Sequence, residues 1–168
     1  MANNFSNEIA HQMKSRGRYK RNLKSAFMNY EPIKQLLLGD TTGKSAKEIR
    51  NLFKQHVKSH LFIDDTVTDQ DSYIFYDVLV PQIHSSTKEC KIMVYAVCHK
   101  KIIDDYEIDG YFGNRMDILS EMIEDCLIFD EKTARNFGIG EITFSGMDIY
   151  NSTTLYGYIL KFIVEDFR

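Results

Sequence analysis

A chain of 168 residues and 19.6 kDa has room for one domain with an added arm, not for two full cores. With 43% hydrophobic and 27% charged residues, two prolines and nine glycines, it reads as a soluble folded domain, which excludes collagen-like and Pro-rich disordered classes. A net charge of −3 excludes a polyelectrolyte that binds nucleic acid over its whole surface.

Residues 1–21 are rich in Asn, Ser, Lys and Arg and read as a flexible basic arm, with residues 22–168 as a single α+β domain. From Asn22 the pattern turns helical: Leu23, Phe27, Ile33, Leu36 and Leu37 recur near helical spacing, Pro32 marks a break or a new first turn, and Gly39 ends the segment. A second helix is predicted from the N-cap Ser45, with Glu48 at the capping-box position, to about Val57. Its apolar residues Ile49, Leu52, Phe53 and Val57 fall on one side.

The middle of the chain is β. Ser72–Val80 and Cys90–Cys98 are dense in aromatic and β-branched residues, and PQIHSSTKE between them predicts an antiparallel hairpin with a longer loop. In the second strand both alternating faces are apolar, so it belongs in the centre of a sheet, covered on each side or at a subunit contact. A further helix opens at the N-cap Asn114 with Asp117 three residues on. Met116, Leu119, Met122, Ile123, Cys126 and Leu127 form its buried stripe. After Gly138 and Gly140, strands near Glu141–Asp148 and Leu155–Asp166 make a second hairpin about the turn Tyr150–Thr153. The expected fold is therefore α+β: an antiparallel or mixed sheet of two β-hairpins, a helix packed on it, and an N-terminal helical arm.

No stretch approaches the roughly 18 apolar residues of a membrane span, and Met1–Ser15 has no hydrophobic signal core, so a soluble, cytoplasmic product is expected at synthesis. Three cysteines without CxxC spacing, Cys90, Cys98 and Cys126, read as small buried hydrophobes in a reducing compartment.

Charge is unevenly spread. Residues 1–24 hold Lys14, Arg16, Arg18, Lys20, Arg21 and Lys24 against Glu8, a net +5 that leaves −8 for the remainder. The stretch Asp104–Glu131 carries ten acids against Arg115. A basic arm before an acidic body marks an assembly surface or two solvated faces.

Candidate chemistry is sparse. His56 and His60 are spaced i, i+4 on the second helix, with Asp64 and Asp65 close behind, but Val57 stands where a zincin needs Glu. Two histidines at a helix end also suit its dipole. The acidic loop with Asp65, Asp69 and Asp71 lacks the Gly and the twelfth-position Glu of an EF-hand. Phe137–Gly140 lacks the third glycine of a dinucleotide fingerprint. Asp77 with Glu89 and Lys91 matches the carboxylate and Glu-x-Lys of a metal-dependent PD-(D/E)xK-like nuclease, where two acids hold a divalent ion and the lysine steadies developing charge. The same three residues also suit a solvated strand start. No catalytic site emerges from the residues, so the protein is not expected to be an enzyme, and no cofactor or resident metal is expected.

The run IDGYFGNRMDILSEMIEDCL, then NFGIGEITFSGMDIY, then TLYGYILKFIVEDFR, resembles phage tail terminator and neck proteins. In such families a hairpin is followed by a helix opening with an Arg-x-Asp pair, matched here by Arg115 and Asp117, and then by a glycine-bearing segment and a strand pair. Upstream, LFIDDTVTDQDSYIFYDVLV resembles their acidic loop and first strand, so the likeness covers roughly Lys58–Arg168.

The resemblance implies a structural virion protein at the tail–neck junction, made in the host cytoplasm. Such a protein forms a homohexameric ring on the last tail-tube ring, stops tube growth, and presents the surface to which the head connector or stopper protein docks. In a contractile tail it also meets the sheath protein. DNA passes through the lumen without sequence-specific binding, and no membrane is involved. Another neck or head-completion adaptor of the same plan is the alternative reading, and the nuclease the third. On the structural reading Lys14–Lys24 orders on assembly against an acidic surface, and deletion of residues 1–21 leaves a folded domain that joins particles poorly.

Overall fold

The computed structural model describes residues 2–63, 69–83, 87–134 and 141–167, with side chains from Arg16 onward except at 81–83, 132, 134 and 166–167. The fold is α+β: helices packed on one face of an open five-stranded mixed sheet.

Helix α1 spans Ala2–Asn29, starting twenty residues before the Asn22 expected from the sequence. Its last turns are fixed by Tyr19, Leu23 and Phe27, at i, i+4 and i+8 and fully buried. The basic residues at 16, 18, 20, 21 and 24 hide this stripe in the sequence, where Tyr19 stands as a lone buried apolar residue among the described side chains before Asn22. Helix α2 (Glu31–Leu38) has Pro32 in its first turn, where a missing N–H costs nothing, and buries Ile33, Leu36 and Leu37. It stops at Gly39, whose positive φ of 64° a side chain would resist. Helix α3 (Ala46–His56) carries the capping box foreseen at Ser45 and Glu48: Ser45 N–H donates to Glu48 Oε2 at 2.7 Å, and Ser45 Oγ accepts from Glu48 N–H at 3.3 Å.

Strand β1 (Val57–Lys58) follows at once and pairs parallel to β2 (Ser72–Ile83) at Ile74 and Phe75. Strand β2 pairs antiparallel with β3 (Thr87–His99), so both strands run further into the expected PQIHSSTKE loop than alternation suggested. Helix α4 (Arg115–Glu124) continues as a π-helical turn over Asp125–Phe129, then a short α5 (Glu131–Ala134). Strands β4 (Thr143–Asn151) and β5 (Leu155–Phe167) form the second hairpin. The sheet order is β1-β2-β3-β5-β4, so β5 pairs with β3 and leaves β4 at the edge.

The core lies between the helices and one face of the sheet. Ile74, Tyr76 and Val78 of β2, Cys90 to Cys98 at alternate positions of β3, and Leu160, Phe162 and Val164 of β5 meet the α1 and α2 stripes and Met116, Leu119, Met122, Ile123, Cys126 and Leu127. The expected α4 stripe is buried in full. On the opposite face Tyr73, Phe75, Val97 and Leu155 make a smaller buried cluster under Ile63, Tyr95 and Tyr150. Both faces of β3 are therefore partly covered within one chain. Among the described residues no helix is long and apolar enough to cross a membrane.

Candidate interaction surfaces

The two sheet edges differ. Strand β1 covers β2 at Ile74 and Phe75, and beyond it the β2 edge is closed by side chains. Arg16 Nε donates to the Val78 carbonyl at 2.7 Å, and Val78 N–H donates to Asp77 Oδ1 at 2.7 Å. The Arg16 guanidinium also reaches both oxygens of Asp77, and Lys20 Nζ lies 2.8 Å from Oδ1. Lys20 Nζ donates as well to the Ser59 carbonyl, and Tyr76 Oη donates to the Lys20 carbonyl, so α1 is laced to this edge. Burial pushes the Asp77 carboxyl up. Hydrogen bonds from Lys20, the Val78 N–H and Arg16, with the Lys20 charge, outweigh it and hold the group below the usual carboxylate range. An unpaired strand edge invites another strand, and this arrangement blocks it.

The nuclease constellation is not assembled around an ion. Asp77 pairs with Met93, four residues along β3 from Glu89, so the two acids are about 13 Å apart along the strand. The Asp77 carboxylate is taken up by Arg16, Lys20 and the Val78 N–H, while Glu89 lies 3.7 Å from its own neighbour Lys91.

The histidine pair is also separated. Helix α3 ends at His56, because Val57 turns into β1, so His60 does not share its helix. His56 is buried, donates from Nδ1 to the Ser72 carbonyl at 3.0 Å, and stacks on Tyr73. His60 lies against Phe75. Among the described residues no three His, Cys, Asp or Glu side chains group to hold a metal. Asp64, Asp65 and Phe137–Gly140 lie outside the described residues, as does the side chain of Lys14.

Arg115 and Asp117, singled out by the Arg-x-Asp pattern, hold the fold together. Arg115 Nε donates to Ser72 Oγ at 2.6 Å, its Nη2 to the Leu36 carbonyl at 3.1 Å, and its guanidinium lies over Tyr106. One side chain thus ties α4 to the start of β2 and the end of α2. Asp117 closes a capping box with Asn114: Asn114 N–H donates to Oδ2 at 2.8 Å, and Asn114 Oδ1 accepts from Met116 N–H and Asp117 N–H. Its other oxygen accepts from Tyr158 Oη at 2.8 Å, joining α4 to β5.

The remaining basic residues face outward. Arg18 and Arg21 are exposed on the side of α1 opposite its core stripe, with Arg18 resting over the Tyr19 ring, and Lys24 is half-buried at the stripe's flank, one turn beyond Lys20.

At the other edge, β4 has no further strand beside it among the described residues. Phe144, Met147 and Ile149 pair with Phe162, Leu160 and Tyr158, so they stand on the helix-covered face, yet they are 38%, 50% and 65% exposed. Between α4 and β4 runs a groove of about 230 Å³ with Phe144, Met147, Tyr158 and Leu160 on its floor and Ser120, Glu121 and Glu124 along its rim. Sequence reasoning passed over this strand's apolar residues because alternation alone does not tell an edge from a centre.

Residues 26–164 match the family model YomW. The chain belongs to the YomW family. Membership makes it a phage-associated protein, as the resemblance to phage neck proteins implied at its coarser level. The YomW match takes in β1 to β4, β5 as far as Val164, Arg115, Asp117 and the α4–β4 groove, and it begins within the last turn of α1. A search among curated proteins gave no match.

Proposed function

We propose that this YomW-family chain is a structural virion protein, a tail terminator. On this reading it forms a ring on the last tail-tube ring, stops tube growth, and offers its other side to the head connector, and to the sheath end if the tail contracts. It acts by binding and not by catalysis.

The observation that supports this best is the asymmetry of the sheet, taken with membership of a phage-associated family. One edge is sealed by Arg16 and Asp77, with a basic helix beside it, and the other is an open, apolar strand beside an acidic helix. A subunit with unlike ends joins head to tail, and head-to-tail joining closes into rings when the rotation allows.

Electron microscopy of particles made without the protein tests the reading. Tails of irregular, excessive length beside unattached filled heads are expected. Tails of normal length beside heads that fail to join would move the protein to the head side of the neck, the adaptor reading. Intact, infectious particles would sink both.

A further inference from the structure

We propose that the groove between α4 and β4 receives the outward, basic side of α1 from a second copy of this chain. The groove has an apolar floor, where Phe144 and Met147 stand open to solvent beside Leu160. Its rim is acidic: Glu121 and Glu124 have no hydrogen-bond or ion-pair partner for their side chains among the described residues. Ser120 Oγ, which also lines the groove, is shut off from solvent and makes no hydrogen bond among the described residues.

An apolar floor below an acidic rim selects a particular kind of side chain. Lysine and arginine lay their methylene stems on apolar surface and carry the charge to its border, and an arginine also stacks on an aromatic face such as Phe144. This chain supplies such residues on α1: Arg21 is exposed, Lys24 half-buried, and neither has a side-chain partner among the described residues. Arg18 is exposed one turn before Arg21.

The contact is between copies because of where the two surfaces lie. Helix α1 is bound to β2, near one end of the order β1-β2-β3-β5-β4, and the groove is at the β4 end. The width of the sheet separates a molecule's basic side from its own groove, so each copy gives one surface and receives the other. Matching charge of this sort sets orientation and encounter rate, and it weakens with salt. Repetition of the contact around a closed ring rests on the terminator reading; the pairwise contact does not.

The test is a charge swap in the full chain, read by sedimentation velocity at low salt, with thermal melts to establish that each variant is folded. Wild type is expected to self-associate, and less so on going from about 0.1 M to about 1 M salt. The groove variant Glu121→Lys/Glu124→Lys and the helix variant Arg21→Glu/Lys24→Glu should each sediment as monomers. Their equimolar mixture should associate again, since one reversed groove then meets one reversed helix.

Wild-type-like association of either variant alone, a mixture that stays monomeric, or a wild type monomeric at every concentration would overturn the proposal. The terminator reading fails separately. If tails keep their length without the protein while the swap behaves as expected, the contact stands and the terminator role falls. Overgrown tails with indifferent variants give the reverse.

Discussion

The Arg16 guanidinium holds both oxygens of Asp77 through one nitrogen, at 2.8 and 2.9 Å, across 61 residues of chain, and its Nε takes the next carbonyl, Val78 O, at 2.7 Å. One arginine thereby neutralises an acid on β2 and satisfies one outward carbonyl of that strand beyond the short cover of β1. The expectation that residues 1–21 can be deleted from a folded domain has to be read against this contact and against the fully buried Tyr19, both lost in that deletion.

Arg16→Ala should therefore destabilise the domain by about 1–2 kcal/mol, the range for a charge-assisted hydrogen bond that stays partly wet. In a chain of this size each 1 kcal/mol lowers Tm by about 2–4 °C. Differential scanning calorimetry with light scattering reads both consequences, because the uncovered β2 edge should also promote aggregation. A deletion of residues 1–15, which keeps Arg16, should melt well above one of residues 1–21. Equal melting temperatures for the two deletions would remove the edge-sealing role.

The same pair makes a pH prediction. Asp77 ionises more readily in the folded protein than in the unfolded chain, so its contribution is fully present above the unfolded value of about 3.9 and is lost as pH falls through the lower folded value. The gap in Tm between wild type and Asp77→Asn should be constant near neutrality and close as the pH drops below about 4. A gap unchanged at low pH would place the effect in packing and not in charge.

Gly157 of β5 pairs with Val97 of β3. A Cβ there would collide with the Ala96 carbonyl oxygen, a backbone atom that cannot step aside without breaking the ladder. Gly157→Ala should cost at least the roughly 1–3 kcal/mol of an overpacked core, and Gly157→Val should prevent folding. Gly17→Ala is the counterpart, since that glycine is on the exposed side of α1 with open space around it. It should gain about 0.5–1 kcal/mol. Opposite signs in urea melts are the expected result, and a neutral Gly157→Ala would refute the close approach.

Asp117→Lys should lower stability by about 1–2 kcal/mol. It removes the acceptor for the Asn114 N–H, places a positive charge at the positive end of α4, and strips Tyr158 of its partner. Tyr158→Phe separates the effects: it loses the tie to β5 and leaves the cap, so it should cost less. Chemical denaturation of the two single variants and the double gives the coupling between them. Identical costs for the two singles would mean that the cap contributes nothing.

What the residues settle by themselves is local. The capping boxes at Ser45–Glu48 and Asn114–Asp117, the stop at Gly39, the new first turn around Pro32, the stripe from Met116 to Leu127 and the alternation in β2 and β3 each lie within one element, where spacing decides the outcome. The tertiary structure decided everything that needs two distant segments. Tyr19 is core because β2 lies under it, and Asp77 seals an edge because Arg16 arrives from 61 residues away. His56 and His60 part because Val57 finds Ile74 to pair with and ends the helix. Phe144, Met147 and Ile149 stay open because β5, not β4, pairs with β3, which puts their strand at the sheet's end. Hydrophobic period records which side of an element is apolar, but strand order records what covers that side, and order is set by pairing energies summed over whole strands.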